Sequence, residues 1–339
     1  MSHEVTGPAA LGGVFGGGSG KWAAERFMAN MKAGKGLTTD ALRTLDTLRK
    51  DEWVFFDDTL IEEVSLRLRA VADLVERGLT RTIPNGMAKT MLEYEKTGDM
   101  FPAQLSMDGV TRTENDRLEF ELHGLPLPIA HKDFWIHLRT LLASRERSEG
   151  LDVTQVRTCG RLIAELIESV LIQGTAKKYG GQSIYGYMTH PDRNTLSFGT
   201  NGAWSAAAKT GENILTDVQS LIAAAHADRK YGPYALYYPT DASVKMLGDF
   251  KANSDKSIRS RVAEVDDIVV ARSLDQLPTA NVLLVQLTSD VVQLVEGEPL
   301  QTVQWDVEGG MVVNFKCLTI QVPLIRSDVS ERSGIVHMS

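Results

Sequence analysis

Residues 152–174, DVTQVRTCGRLIAELIESVLIQG, constrain the fold of this chain more than any other stretch. Val153, Val156, Cys159, Ile163, Leu166 or Ile167, and Val170 recur at helical spacing and fall on one face. Asp152 or Thr154 can accept from the first free N–H groups, and Gly174 stops the last turn. At about 1.5 Å per residue the helix spans roughly 33 Å, long enough to be the spine of a domain.

The segments around it alternate. A second helix runs from Gly211 to about Arg229, with Ile214, Val218, Leu221 and Ile222 on its apolar face. YALYYP (234–239) reads as a strand and TDASVKMLGDF as a capped helix. DIVVARS, NVLLVQL and VVQLVEG follow as further strands, so an α/β lobe is predicted over about 211–298. The chain closes with the long β run VVNFKCLTIQVPLI and a short tail.

Upstream, Leu60, Val64, Leu68, Val71 and Val75 predict an amphipathic helix over about 58–77, ended by Gly78. Thr39 or Asp40 caps a short helix through Arg49, and residues 1–36 form a glycine-rich arm. Residues 80–127 are punctuated by Pro84, Asn85–Gly86, Gly98–Asp99, Pro102 and Asp108–Gly109. Leu118, Phe120 and Leu122 alternate with Glu119 and Glu121, as in a two-stranded, mostly solvated hairpin. Such a hairpin is marginal alone and gains stability when a neighbouring subunit covers it.

Chemistry-bearing motifs fail one by one. In GGGSGKW, Gly20–Lys21 is followed by Trp22, and Phe15 stands where a phosphate loop needs its first glycine. In GGQSIYG, Tyr185 occupies the second glycine position of a nucleophile elbow around Ser183, leaving a polar, aromatic surface loop. The seven histidines lack metal spacing, and His131 and His137 are taken to lie on different faces of a helix. Asp57–Asp58, Glu62–Glu63 and Asp266–Asp267 read as solvated pairs. Cys159 and Cys317 read as buried free thiols in a reducing compartment. No catalytic residue, cofactor or metal site is expected. A net charge of -8 argues against a duplex-gripping surface, and no apolar run is long enough to cross a membrane.

The order of arm, polar excursion, spine helix and α/β lobe resembles the phage capsid fold named after coliphage Hong Kong 97, shared by tailed-phage shell proteins and encapsulins. LPLPIAHKDFWIHLR (125–139) resembles the passage from the extended loop into the peripheral domain. IYGYMTHPDRNT (184–195) resembles the loop after the spine helix, and GPYALYYPTDASVKML (232–247) the start of the axial domain. NVLLVQLTSDVVQLVEGEP (281–299) and the closing GIVHMS fit the same pattern. The resemblance covers about residues 55–339 and is nearest the encapsulin-like branch.

It implies an α+β class with an N-terminal arm (1–57), a first peripheral helix (58–79) and an extended β-hairpin loop (80–124). A peripheral domain (125–210) carries the spine helix, an axial domain spans 211–298, and return strands to the peripheral domain with the C-terminus span 299–339. It further implies a major capsid protein that builds hexamers and pentamers of an icosahedral head around double-stranded DNA. Portal and scaffolding proteins, and a cement protein, would be partners, in a virion assembled in the bacterial cytoplasm. Trp53, Phe55, Phe56, Met100, Phe101, Leu105 and Met107 are the candidate inter-subunit contacts, since aromatic and flexible apolar side chains dominate interface energetics, with the subunit's own core as an equal alternative for Trp53, Phe55 and Phe56. Lys89 and Lys96 lie in the extended loop, but no motif aligns them with the lysine–asparagine crosslink of some members. An encapsulin-type nanocompartment shell is the alternative, and an α/β enzyme built on 211–298 a weaker one.

Overall fold

The computed structural model describes residues 50–98, 105, 107, 117–118, 120–146, 154–251, 255–307 and 311–339. The short helix ending at Arg49, the glycine-rich arm and the GGGSGKW stretch lie outside them. Two helices come first, α1 (Lys50–Arg67) and α2 (Ala70–Glu76), then β1 (Thr80–Thr82), β2 (Met91–Thr97), β3 (Phe120–Pro126) and β4 (Ala130–His137). Next come α3 (Leu138–Glu146), the spine helix α4 (Thr154–Gln173), β5 (Thr175–Tyr179), β6 (Gln182–Ile184) and β7 (Asn194–Leu196). The remainder is α5 (Gly211–Ala227), β8 (Tyr234–Pro239), α6 (Thr240–Met246), α7 (Ile258–Ala263), β9 (Ile268–Leu274), β10 (Val282–Gln286), β11 (Val292–Val307), β12 (Val312–Ile325) and β13 (Ile335–Met338).

One sheet has the order β1-β11-β12-β4 and is dominated by the β11–β12 hairpin. The spine helix lies against β4 and β12, and its face Val156, Cys159, Ile163, Ile167 and Leu171 is buried in the largest core cluster. Of the two residues left open at the fifth position, Ile167 points inward and Leu166 is 48% exposed. α1 crosses α4 where Gly160 has no side chain: a Cβ there would meet Leu60 Cδ1 at 2.8 Å.

A second sheet, β7-β13-β10-β8-β9, forms the axial lobe. Strand side chains alternate faces, and here both faces are covered. Tyr234, Leu236 and Tyr238 of β8 pack with α5, α6 and α7, while Ala235 and Tyr237 point toward α2 and α4. In β10, Val282 and Leu284 face the outer helices and Leu283 and Val285 the spine side. This double burial explains why YALYYP is an unbroken apolar run.

Four expectations change. The helix over 58–77 is two helices, broken at Leu68 and Arg69. VVQLVEG leaves the axial lobe and begins β11 of the other sheet, while β7 and β13 enter it. The tail, read only as a short closing segment, is an interior strand of the axial sheet, parallel to β7 and antiparallel to β10. The stretch 180–186, read as a loop, holds the turn and second strand of a hairpin, in which Gly180 and Gly181 take φ of +58° and +81° between the Tyr179↔Gln182 pair. Two positive φ values in a two-residue turn match the right-handed twist of the strands, and glycine adopts them without strain.

Candidate functional site

The spine helix ends against its own following loop. Gly174 has φ +71°, and Gly186 comes so close that a Cβ on it would sit 2.3 Å from Gly174 N. This contact lets residues 186–189 satisfy the carbonyls that every helix leaves unpaired at its end. Tyr187 N donates to Leu171 O at 3.0 Å, Met188 N to Ile172 O at 2.8 Å, and Thr189 Oγ1 to Gln173 O at 3.0 Å.

One turn earlier, α4 buries a carboxylate. Glu168 is 3% exposed and accepts from Ala70 N at 2.8 Å and Val71 N at 3.4 Å, so it caps the start of α2. That cap accounts for the break after α1, because the restarted helix turns its free N–H groups onto Glu168. Burial pushes Glu168 up to about 7, against the pull of those N–H groups. Asp73 of α2 accepts from Tyr237 Oη at 3.0 Å and pairs with Arg272 at 3.2 Å. Burial raises Asp73 to about 6, with the Arg272 guanidinium opposing. Through Glu168, Asp73, Tyr237 and Arg272, the spine helix, α2 and the axial sheet share one polar junction.

The β2–β3 hairpin is tied to the body on one face and bare on the other. Leu92 and Tyr94 pack on the cluster of Ile83, Leu125 and Ile184, and Tyr94 stacks on His123 at 5.7 Å between ring centres. Lys96 Nζ pairs with Asp192 at 2.8 Å, and Ser327 donates to the same carboxylate oxygen. The outward face carries Phe120 and Leu122, paired across from Thr97 and Glu95, with exposures of 58% and 64%. Toward the tip, Leu105 and Met107 are wholly exposed.

In the axial lobe the loop before α5 is organised by a buried ion pair, Lys209 Nζ to Asp217 at 2.6 Å. Trp204 Nε1 donates to Asp217 at 2.9 Å and Lys209 donates to Thr200 O at 3.0 Å. A depression of about 300 Å³ beside this pair is lined by Ser197, Thr200, Asn213, Thr216, Asp217 and Ser220.

Of the predicted contact residues, Phe56 is corrected. It is 1% exposed inside the subunit, with its ring 5.7 Å from that of Phe315, so it has no area left to give a neighbour. The Trp53 and Phe55 side chains, Met100 and Phe101 lie outside the described residues. The structure does not bring Leu105 and Met107 to Phe56, and it adds Phe120 and Leu122, which alternation with Glu119 and Glu121 had marked as one hairpin face. His131 and His137 sit in β4, an even number apart, hence on one face of a strand and not on two faces of a helix. His190 is buried, and burial lowers it to about 4, which keeps the ring neutral. Among the described residues no cluster of His, Cys, Asp and Glu could hold a metal ion, and no helix is long and apolar enough to cross a membrane.

Comparison with known proteins follows the same architecture. The structure is similar to the virus-like particle from Pyrococcus furiosus, with TM-score 0.61 and 15% identity over 86% of this chain and 99% of that one. It is similar to the capsid of Myoviridae phage XM1, with TM-score 0.60 and 13% identity over 78% and 90% of the two chains. In sequence it is 25% identical over 194 residues to the type 1 encapsulin shell protein EncA of Myxococcus xanthus (strain DK1622), covering 56% of this chain. The match spans 60% of the length of that curated relative. Residues 40–338 match the family described as a family of unknown function, DUF6260. The chain has the Hong Kong 97-type capsid fold, of α+β class, and belongs to the DUF6260 family.

Proposed function

We propose that this chain is the major capsid protein of a tailed phage, assembling as hexamers and pentamers into an icosahedral head that encloses double-stranded DNA. The observation that carries the reading is a capsid fold whose extended hairpin presents an apolar outer face. Phe120, Leu122, Leu105 and Met107 offer area that only a partner can bury. In this reading residues 80–124 lie over a neighbouring subunit, with Trp53, Phe55, Met100 and Phe101 joining the contact. The protein is structural and not an enzyme. Portal and scaffolding proteins, with a cement protein, are its proposed partners, and the virion its proposed location after assembly in the bacterial cytoplasm.

A second reading, an encapsulin-type nanocompartment shell, is favoured by the likeness to the Myxococcus xanthus shell protein. Electron microscopy of the purified protein separates the two. Particles of phage-head size, formed with a portal and filled with DNA, support the first; small closed particles holding protein cargo support the second. A stable monomer at high concentration sinks both. Phe120→Asp with Leu122→Asp should abolish particles while leaving the subunit's circular dichroism spectrum unchanged.

A further inference from the structure

The depression in the axial lobe lies between the end of β7 and one stripe of α5. Asn213, Thr216, Asp217 and Ser220 follow at i, i+3, i+4 and i+7, so they share a face of the helix. Ser197, Gly199 and Thr200 form the facing wall, and Leu196 with Met338 an apolar side. At about 300 Å³ it stands at the small end of ligand clefts, with room for a single small molecule.

Asp217 is the buried member of this lining. Its side chain is 3% exposed, and Oδ2 receives both Lys209 Nζ and Trp204 Nε1. Among the described residues no donor reaches Oδ1. Gly199 leaves that oxygen uncovered, because a Cβ at 199 would stand 2.6 Å from it. A carboxylate oxygen this far from bulk water is costly without a donor, so it calls for a hydrogen bond from a guest.

Lys209 decides the guest's charge. Its buried ammonium already neutralises Asp217, so a second cation would be repelled by it and an anion by the open oxygen. The guest is neutral, and it donates. Thr216 and Ser220 demand donors too, since their hydroxyl protons are spent on Glu212 O and Thr216 O at 3.0 Å each, which leaves lone pairs for the depression. The Asn213 amide and the Ser197 and Thr200 hydroxyls, which bond nothing among the described residues, can give as well as accept. Adjacent hydroxyl groups on one ring meet both demands, and the C–H face of such a ring suits Leu196 and Met338.

We propose that this depression binds one neutral sugar ring. One hydroxyl donates to Asp217 Oδ1, and its neighbour on the ring accepts from the Asn213 amide one helical turn away. The site belongs to the single axial lobe and asks nothing of a second subunit.

Saturation-transfer difference NMR on the purified full-length chain tests it, with glucose, galactose, mannose and N-acetylglucosamine as probes. The method reads the sugar's own signals, so it serves for subunits and particles alike. At least one sugar should take up saturation on its ring protons, with a half-point on the order of 1 mM, because few hydrogen bonds and little apolar area are gained. Asn213 has no side-chain partner in the fold, so Asn213→Ala should leave the chain folded and weaken that sugar by about fivefold. Gly199→Ala sets a methyl group against Asp217 Oδ1 and should abolish binding; where it does not fold, Asn213→Ala decides alone. No saturable transfer to any of the four sugars, a half-point unchanged in Asn213→Ala, or displacement of the sugar by methylguanidinium at a lower concentration than its own would each overturn the proposal.

Discussion

Gly186 sits so close to Gly174 that the backbone of one occupies the place where the other's side chain would be. Everything that finishes the spine helix depends on that approach: the bonds from Tyr187, Met188 and Thr189 form only while the loop lies on the helix end. Gly186→Ala should therefore cost at least about 2 kcal/mol, since the obstacles are backbone atoms that cannot swing aside. Gly181→Ala meets open space and should cost about 1 kcal/mol, from its left-handed φ of +81° alone. Thermal unfolding of the two variants checks the ranking.

Glu168 gives a pH test with a defined sign. Its value is raised from 4.5 to about 7, so its contribution to stability is present below 4.5 and lost as pH climbs to 7. His190 slopes the other way: lowered from 6.5 to about 4, it loses stability as pH falls through that window. The two offset each other in the unmodified chain, so the comparison is with Glu168→Gln. From pH 5 to pH 8 the unmodified chain should lose stability relative to the variant by on the order of 1–3 kcal/mol. Urea midpoints at the two pH values measure it, and a constant difference would rule out Glu168 as the titrating group.

Lys96 and Asp192 hold the hairpin to the body. Burial pushes Asp192 up, but bonds from Lys96 and Ser327 outweigh it and hold the carboxyl below its usual range. Lys96→Met should loosen residues 91–97 and 120–126 by about 1–2 kcal/mol, read as faster amide exchange there with the spine helix unchanged. The same strands should loosen in acid as Asp192 takes up its proton.

Lys209→Met should be the most damaging single change in the axial lobe. It leaves Asp217, 3% exposed, without its cation, at a cost of about 3–5 kcal/mol. Replacing Asp217 as well, by Leu, should recover part of the loss, although Trp204 Nε1 then lacks its acceptor. A thermal-unfolding series of the two single variants and the double variant measures the coupling.

The elements were largely legible because their signals are local. The spine helix is predicted over 152–174 and observed over Thr154–Gln173, and VVNFKCLTIQVPLI is β12 from its first residue to its last. The failures share a physical cause, which is that pairing partners are not written in a strand's own pattern. VVQLVEG reads the same whether it joins β10 or begins β11, and GIVHMS carries no mark that it enters the middle of a sheet. Nor could periodicity place Glu168: a charged residue on an apolar stripe reads as a flaw until Ala70 and Val71 are seen to point at it. Phe56 was ambiguous for the opposite reason, since an aromatic side chain suits a core and an interface equally.

The insertion of β13 between β7 and β10 also has a bearing on time. A ribosome has made β7, β8, β9 and β10 before it reaches Ile335, and 49 residue positions separate Gln286 from that strand. At about 5–20 residues per second the axial sheet waits roughly 2–10 s with a gap between two of its strands. During that interval the axial sheet of a nascent chain is unfinished. The axial sheet is thus closed only after the whole β11–β12 hairpin of the other sheet has been made.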